Sequence, residues 1–377
     1  MNEHYWTHLS LKKQLKVIVV ISIGVSVFVI IVLYSFGREN NSPIVTNNPR
    51  LIYSNLQNSM PALTEENKYV LAAQECNSKN KTLLALILVT SYYGNVETRS
   101  AMRRAFSSLE LENMNMRRVF LLAVAKNDKY TNQGMIENEQ SRFGDLLQGN
   151  FIESYRNLTY KHLMGLKWAA QFCASAKYVV KMDDDIVVNV YRLKKILVRQ
   201  SKVIPKRKGV IAGYLMKNMV PIRDPHSKWY VSQEEYDVDK YPAFVSGWLY
   251  ITNTKTITDL LAASKKIPYF WIDDLYITGI LAQIVNITFI DLSFYFTTST
   301  EELKCCIDDY KKYKYDCDYV IGPNGGDNNL FFEFNEIMKK CYTEEGCSKK
   351  VRTYSNMCGA PIKTIGGEAE IEKYKLF

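Results

Sequence analysis

Three short, largely apolar runs, each separated from the next by helical stretches, constrain this chain more than any other feature. Thr82 to Ser91 (TLLALILVTS), Val119 to Ala125 and Tyr178 to Met182 read as strands, because short continuous apolar runs bounded by polar residues suit strands covered on both faces. Between them, Asn95 to Ser108, Met135 to Phe143 and the longer Asn157 to Ala174 carry helical spacing. Strand, helix, strand, helix, strand predicts an α/β fold around a mostly parallel sheet, whose ligands gather at the carboxyl ends of the strands. Gly209 to Leu215, Phe244 to Thr252 and Thr288 to Asp291 add further strands, some of them free to run antiparallel.

The third strand delivers the chain into three consecutive carboxylates, YVVKMDDDIVVN from Tyr178 to Asn189. Oxygen ligands on a strand-end turn suit a hard divalent cation such as Mn²⁺ or Mg²⁺, and alternate aspartates can point to one side together. Asp183 and Asp185 are therefore the expected metal ligands. A solvated acidic turn is the plainer reading of a triple aspartate, but the apolar flanks on both sides place this one at the edge of a buried sheet.

The first part of the chain has a different character. Val17 to Phe36 (VIVVISIGVSVFVIIVLYSF) carries no charge over a length that spans a bilayer core. Lys12, Lys13 and Lys16 precede it while Arg38 and Glu39 cancel after it, which predicts a cytosolic tail over 1–16, a signal anchor over 17–36 and a lumenal body, that is, type II topology. Residues 37–73, with Asn, Ser and Pro and no sustained period, read as a stem. Sequons at Asn40, Asn80, Asn157 and Asn286 agree with a lumenal body, although the Asn157 side chain can equally serve a structural role.

Of eight cysteines, Cys305, Cys306, Cys317, Cys341, Cys347 and Cys358 crowd the last part of the chain, and Cys76 and Cys173 stand alone upstream. In an oxidising compartment these read as disulfides, with a Cys76–Cys173 bridge plausible. Zinc is the competing account, but no two close CxxC pairs occur and no histidine follows His226. The formal charge of +9 suits a nucleoside diphosphate better than a nucleic acid, for which no basic run is dense enough.

Several ordered motifs between about Leu83 and Ala282 carry a resemblance: ETRSAMRRAF, VFLLAVAKND, FGDLLQGNFIESYRNLTYKHLMGLKWAAQFC, the DDD segment, YPAFVSGWLYIT and WIDDLYITGILA. Together they resemble the β-1,3-glycosyltransferases, the family of the galactosyltransferases, N-acetylglucosaminyltransferases and, more distantly, Fringe. The resemblance implies a GT-A type nucleotide-sugar-binding fold over 74–300 with a Cys-rich extension over 301–377, a UDP-sugar donor, a metal at the DDD motif and a Golgi anchor. It departs from the family pattern at Met102, Ala105 and Phe106 (family R-x-x-I-R-x-T-W) and at Val245 and Trp248, where relatives read Cys and Gly.

By that resemblance Asp185 binds the metal directly, Asp183 bridges to metal or ribose, and Asp184 lies beside them on the donor side. Arg99 and Arg103, at i and i+4 on one helix face, are expected to meet one anion, the donor diphosphate; a solvated helix face is the alternative. Asp145 and Lys161 match nucleotide-binding positions, with core salt bridging the other reading of both. An inverting transfer needs a base on the acceptor hydroxyl, and the WIDDLYITGI segment supplies Asp274, with Asp273 as fallback and helix capping as the structural role open to either. Gly247 and Trp248 are the expected acceptor contacts, through close backbone approach and an aromatic face, unless they are ordinary core. The expected activity is transfer of a hexose, first galactose, to the 3-hydroxyl of an acceptor sugar on a glycoprotein or glycolipid. The alternatives are N-acetylglucosaminyl transfer and a catalytically silent binding or chaperone-like protein on the same fold.

Overall fold

In the computed structural model, which describes residues 44–46, 69–76, 82–125, 130–200, 204, 209–344 and 346–348, the first predicted strand forms over Ala85–Thr90 and is buried at each of those positions because the sheet is covered on both faces. Leu86 and Leu88 face Leu163, Leu166 and Trp168, whereas Ile87 and Val89 face Met102, Phe106 and the late Phe331 and Phe334. Full burial of each such side chain stabilises by roughly 1.5–3 kcal/mol, so this run alone commits the chain to a central strand. The apolar run 17–36 lies outside the described residues, as do Asn40, Asn80 and Cys358; among the described residues no helix is long and apolar enough to cross a membrane.

In chain order the elements are β1 (Ile44–Thr46), β2 (Tyr69–Leu71), β3 (Ala85–Thr90), α1 (Val96–Ala105), α2 (Ser108–Asn113), β4 (Met116–Val124), α3 (Gln133–Phe143), β5 (Leu146–Ile152), α4 (Leu158–Phe172), β6 (Tyr178–Asp183), β7 (Ile186–Val188), α5 (Val190–Arg199), β8 (Val210–Met216), β9 (Phe244–Thr252), α6 (Thr254–Ser264), a π-helical segment Leu275–Leu281, β10 (Thr288–Asp291), α7 (Thr300–Tyr313), β11 (Ile321–Pro323) and α8 (Asn329–Lys339). One sheet runs β1-β10-β8-β9-β6-β3-β4-β5-β2 and a two-stranded sheet joins β11 to β7. The pairings give β10, β8, β6, β3, β4 and β5 one direction and β9, β1 and β2 the other. The sheet is thus mostly parallel, as the order of apolar runs predicts, with β9 reversed in its middle.

That reversal positions the site. Parallel pairing of β3 with β6 sets Thr90 opposite Asp183 at the carboxyl ends of both strands. Because β9 runs antiparallel to β6, with Met182 opposite Leu249, its first residues lie beside that same end. Several segments go beyond the sequence reading, among them β1, which lies inside the stretch read as stem and pairs with β10. Tyr69–Leu71, inside the stretch read as stem, forms the edge strand β2, and β5 had no apolar alternation strong enough to announce it.

The cysteines form disulfides. Cys76–Cys173 ties the approach to β3 to the end of α4 across 97 residues, and Cys306–Cys317 and Cys341–Cys347 close short loops in the last part of the chain. Helix α2 opens on a capping box, Ser107 with Glu110, a motif worth about 1 kcal/mol; an ion pair from Lys339 to the same Glu110 at 2.9 Å and the packing of α8 on α1 fasten the late helices to the body.

Candidate active site

A lysine inside a buried strand survives only if its charge is met, and Lys181 on β6 is met from three sides. Its Nζ donates to Asp183 Oδ1 at 2.6 Å and to the Gly247 carbonyl at 2.9 Å, and lies 3.7 Å from Asp273 Oδ2. One ammonium thus joins the end of β6, the start of β9 and the segment before the π-helix. The Asp273 carboxylate also accepts from His162 Nδ1 at 2.9 Å, and His162 Nε2 lies 2.6 Å from the Tyr250 hydroxyl. With Asp273 an acceptor, the imidazole proton sits on Nδ1 and Tyr250 donates to Nε2.

Asp274 is held by its neighbours' backbone. Its Oδ2 accepts from Gly247 N–H at 3.0 Å and its Oδ1 from Leu275 N–H at 2.8 Å, so it caps the π-helix and still keeps lone pairs free, since an ionised carboxylate offers about four acceptor sites. Glycine eases the approach here: a Cβ at Gly247 would stand 3.1 Å from Lys181 Nζ and 3.4 Å from Asp274 Cβ, and the ammonium would have to give way by a few tenths of an ångström. The close backbone approach expected at Gly247 is therefore to these two side chains.

The charges pull the neighbouring carboxyls apart. Burial raises Asp274 to about 6, assisted by the adjacent Asp273. Burial also raises Asp273, but Lys181 and the His162 hydrogen bond outweigh it and hold this carboxyl well below the usual range. Asp183 is pushed up to about 7 by burial first, with Asp273 and Asp185 adding to it against the pull of Lys181. Lys181 stays protonated, since Asp183 and Asp273 more than offset its burial; burial lowers His162 against the opposing pull of Asp273.

The DDD turn is pinned from β3. Asp184 N–H donates to the Thr90 carbonyl at 3.1 Å, and its carboxylate accepts from Ser91 Oγ at 2.7 Å and Asn95 Nδ2 at 3.1 Å. Asp185 is exposed. Two carboxylates of alternate residues, one partly buried and one open, form the hard oxygen donor set that Mn²⁺ or Mg²⁺ takes when a diphosphate and waters complete its shell. The raised Asp183 carboxyl fits the same reading, because Asp183, Asp185 and Asp273 crowd around the Lys181 ammonium and outnumber it, and a cation would supply further positive charge. The cysteine-rich part offers no rival among the described residues: the one close group there, Asp316 with Cys341 and Cys347, includes a disulfide.

Other expected donor contacts are engaged within the protein. Arg99 and Arg103 do face one anion, but it is Glu139, at 2.7 Å and 2.8 Å. The fully buried Arg99 spends its five donors on Glu139 twice, Ser91 Oγ, and the Tyr92 and Tyr93 carbonyls, which leaves none for phosphate. Asp145 pairs with Arg103 at 2.6 Å, and the buried Lys161 pairs with Glu153 at 2.6 Å and donates to the Ser91 carbonyl at 2.8 Å. These are the core salt bridges that stood as the other reading. Trp248 is half-buried and packs against the core. The Asn157 side chain donates to the Ile152 carbonyl at 2.8 Å, whereas Asn286 is exposed.

Sequence reasoning missed Lys181, His162, Glu139 and Glu153. It also missed two exposed aromatics beside the carboxylates. Tyr155, 44% exposed, lies 5.9 Å from the Trp271 ring; its hydroxyl is pushed up to about 12 by partial burial and then by Asp273, Asp274 and Asp183, against a hydrogen bond with Trp229. Trp229 is 46% exposed. Only a buried lysine inside YVVKMDDD was a signal available in the sequence, since Lys181 interrupts an otherwise apolar strand.

A family model described as Galactosyltransferase matches residues 97–293. Among curated relatives, β-1,3-galactosyltransferase 5 of Homo sapiens is 32% identical over 203 residues, 54% of this chain and 63% of that protein. β-1,3-Galactosyltransferase 2 of Mus musculus is 31% identical over 220 residues, 58% of this chain and 51% of the relative. This chain therefore spans less than two thirds of these relatives' length. The solved structure of the WbbM bifunctional glycosyltransferase aligns with 69% of this chain and 50% of its own at 13% identity and a TM-score of 0.37, too distant to bear on the reasoning.

Proposed function

As this chain belongs to the Galactosyltransferase family, we propose that it transfers galactose from a UDP-sugar to the 3-hydroxyl of an acceptor glycan on a glycoprotein or glycolipid, with inversion at the anomeric carbon and a divalent cation. The observation that carries the reading is the Lys181 junction, which puts the DDD turn at 2.6 Å and the Asp273–Asp274 segment at 3.7 Å from one ammonium. Donor-side and acceptor-side carboxylates then belong to a single site.

In this reading Asp183 and Asp185 hold Mn²⁺ or Mg²⁺. The bound cation supplies Lewis-acid stabilisation of the charge that develops on the departing diphosphate. Asp274 takes the proton of the acceptor 3-hydroxyl; that oxygen forms a bond to the sugar C1 while the bond from C1 to the β-phosphate oxygen breaks and UDP leaves. A carboxyl near 6 suits the task, because a general base works best with a pKa close to the operating pH. Asp273, ionised and tied to His162 and Lys181, orients the segment instead. Tyr155 and Trp229 offer faces on which an acceptor ring can stack. The anchor, the type II topology and a Golgi address belong to the same proposal and rest on the 17–36 run and the family.

The test is purified protein with Mn²⁺ and a panel of UDP-sugars, measuring UDP release and transfer to β-galactoside and β-N-acetylglucosaminide acceptors. Transfer from UDP-galactose is expected, abolished by Asp185→Ala and reversibly by a chelator. Transfer from UDP-N-acetylglucosamine instead would change the donor, full activity in excess chelator would remove the metal, and no turnover with any donor would favour the silent binding protein.

A further inference from the structure

The last part of the chain lies beyond the residues 97–293 matched by the family model, yet it reaches the metal motif. Strand β11 pairs antiparallel with β7, the strand that leaves the DDD turn, with Pro323 opposite Ile186 and Ile321 opposite Val188. One residue further, Asn324 N–H donates to the Asp185 carbonyl at 2.8 Å. The DDD turn is therefore clamped from two sides, by β3 through Asp184 and by the 323–327 turn through Asp185. The Asp185 side chain is exposed, so the point from which its carboxylate reaches out is set by the main chain, and that main chain is held by Asn324.

The turn is built to hold one shape. Asn324 is buried, its Oδ1 accepts from Gly326 N–H at 3.0 Å, and its carbonyl accepts from Asp327 N–H at 3.1 Å. Gly325 and Gly326 sit at φ +64° and +80°, a region glycine enters without steric cost. Thr300 Oγ1, at the start of α7, donates to the Pro323 carbonyl at 3.2 Å, and Thr297 N–H donates to the Ile321 carbonyl at 2.9 Å. The Cys306–Cys317 disulfide ties α7 to the segment that enters β11.

We propose that the 323–327 turn is a positioning element for the metal motif: it fixes the Asp185 main chain so that its carboxylate is already in place when the cation and the diphosphate arrive. This rests on the metal reading given above. Groups that orient a metal ligand, when lost, typically cost about 10- to 100-fold in metal affinity, and that is the scale of effect assigned to this turn.

Gly325→Ala tests it. Its Cβ would stand 2.6 Å from Thr300 Oγ1 and 3.1 Å from Thr300 Cγ2, so Thr300 or the turn must shift, and at φ +64° the turn is strained in either case. Gly346→Ala, at φ +76° with no atom within 4 Å of its Cβ, imposes similar backbone strain far from the clamp. The readout is Mn²⁺ affinity in the presence of UDP, followed through the free Mn²⁺ EPR signal, with thermal midpoints of the metal-free proteins alongside. Gly325→Ala should bind Mn²⁺ about 10- to 100-fold more weakly than wild type, and Gly346→Ala should bind as wild type does. Should Gly325→Ala not fold, Asn324→Ala, which keeps the main-chain donor but loosens the turn, should show a several-fold loss. Equal affinity in wild type, Gly325→Ala and Asn324→Ala overturns the positioning role alone, whereas a wild type that takes up no Mn²⁺ overturns the metal reading and this proposal with it.

Discussion

Lys181 and Asp183 stand on one strand with ammonium and carboxylate 2.6 Å apart, the lysine buried and the aspartate opening toward the sheet edge. The pair makes a core charge part of the site's framework, and Asp273 and the Gly247 carbonyl are fastened to the same ammonium.

Lys181→Met should therefore fail in a pH-dependent way. It leaves Asp183 and Asp273 without their cation, and removing one partner of a buried pair costs about 3–5 kcal/mol. Asp273, whose folded carboxyl lies below its unfolded value, contributes stability above the unfolded pKa that is lost as pH falls; this contribution disappears with Lys181. Because an unfolded aspartate titrates at about 3.9, the denaturant midpoint should drop more near neutral pH than well below that value, and an equal drop at both would contradict the charge argument.

Asp273→Asn and Asp274→Asn should move stability in opposite senses. Asp274, raised to about 6, contributes stability present below the unfolded pKa and lost as pH rises through about 6, so its charged form is a burden at neutral pH. Asp274→Asn should keep or raise the thermal midpoint while losing about 10²- to 10⁴-fold in turnover. Asp273→Asn should lower the midpoint at neutral pH. Turnover of the wild type should fall with acid below about pH 6 in step with Asp274 protonation. If Asp274→Asn stays active and Asp273→Asn does not, the base is the neighbour.

Arg99→Lys should destabilise without touching the donor. The planar fork that serves Glu139, Ser91 and two carbonyls cannot be reproduced by an ammonium, and leaving a buried acceptor unmet costs about 1–3 kcal/mol. UDP affinity of the folded fraction, by calorimetry, should equal wild type; a selective loss of UDP binding would return Arg99 to the diphosphate.

Non-reducing peptide mapping should find Cys76 linked to Cys173, Cys306 to Cys317 and Cys341 to Cys347. Cys76→Ser with Cys173→Ser should lower stability by about 2–5 kcal/mol and leave turnover per folded molecule unchanged, since the bridge lies at the strand starts, away from the carboxylates.

What the sequence determined by itself was the alternation. Short apolar runs bounded by polar residues and alternating with helical stretches suit strands covered on both faces, which places β3, β4 and β6 in one sheet, and carboxylates at the end of such a run sit at its edge, which places Asp183, Asp184 and Asp185. The i, i+4 spacing of Arg99 and Arg103 allowed both to meet one anion, with a solvated helix face as the alternative. Which anion they meet was decided by tertiary structure, because Glu139 lies 40 residues from Arg99 and no local pattern links them. The same holds for His162 with Asp273, 111 residues apart, and for Asn324 with Asp185. An apolar run also carries no direction, so only the folded sheet reverses β9 and brings Gly247 to Lys181. Periodicity reports the burial of one residue at a time, whereas pairing of charges and orientation of a site depend on which distant segments share a sheet edge.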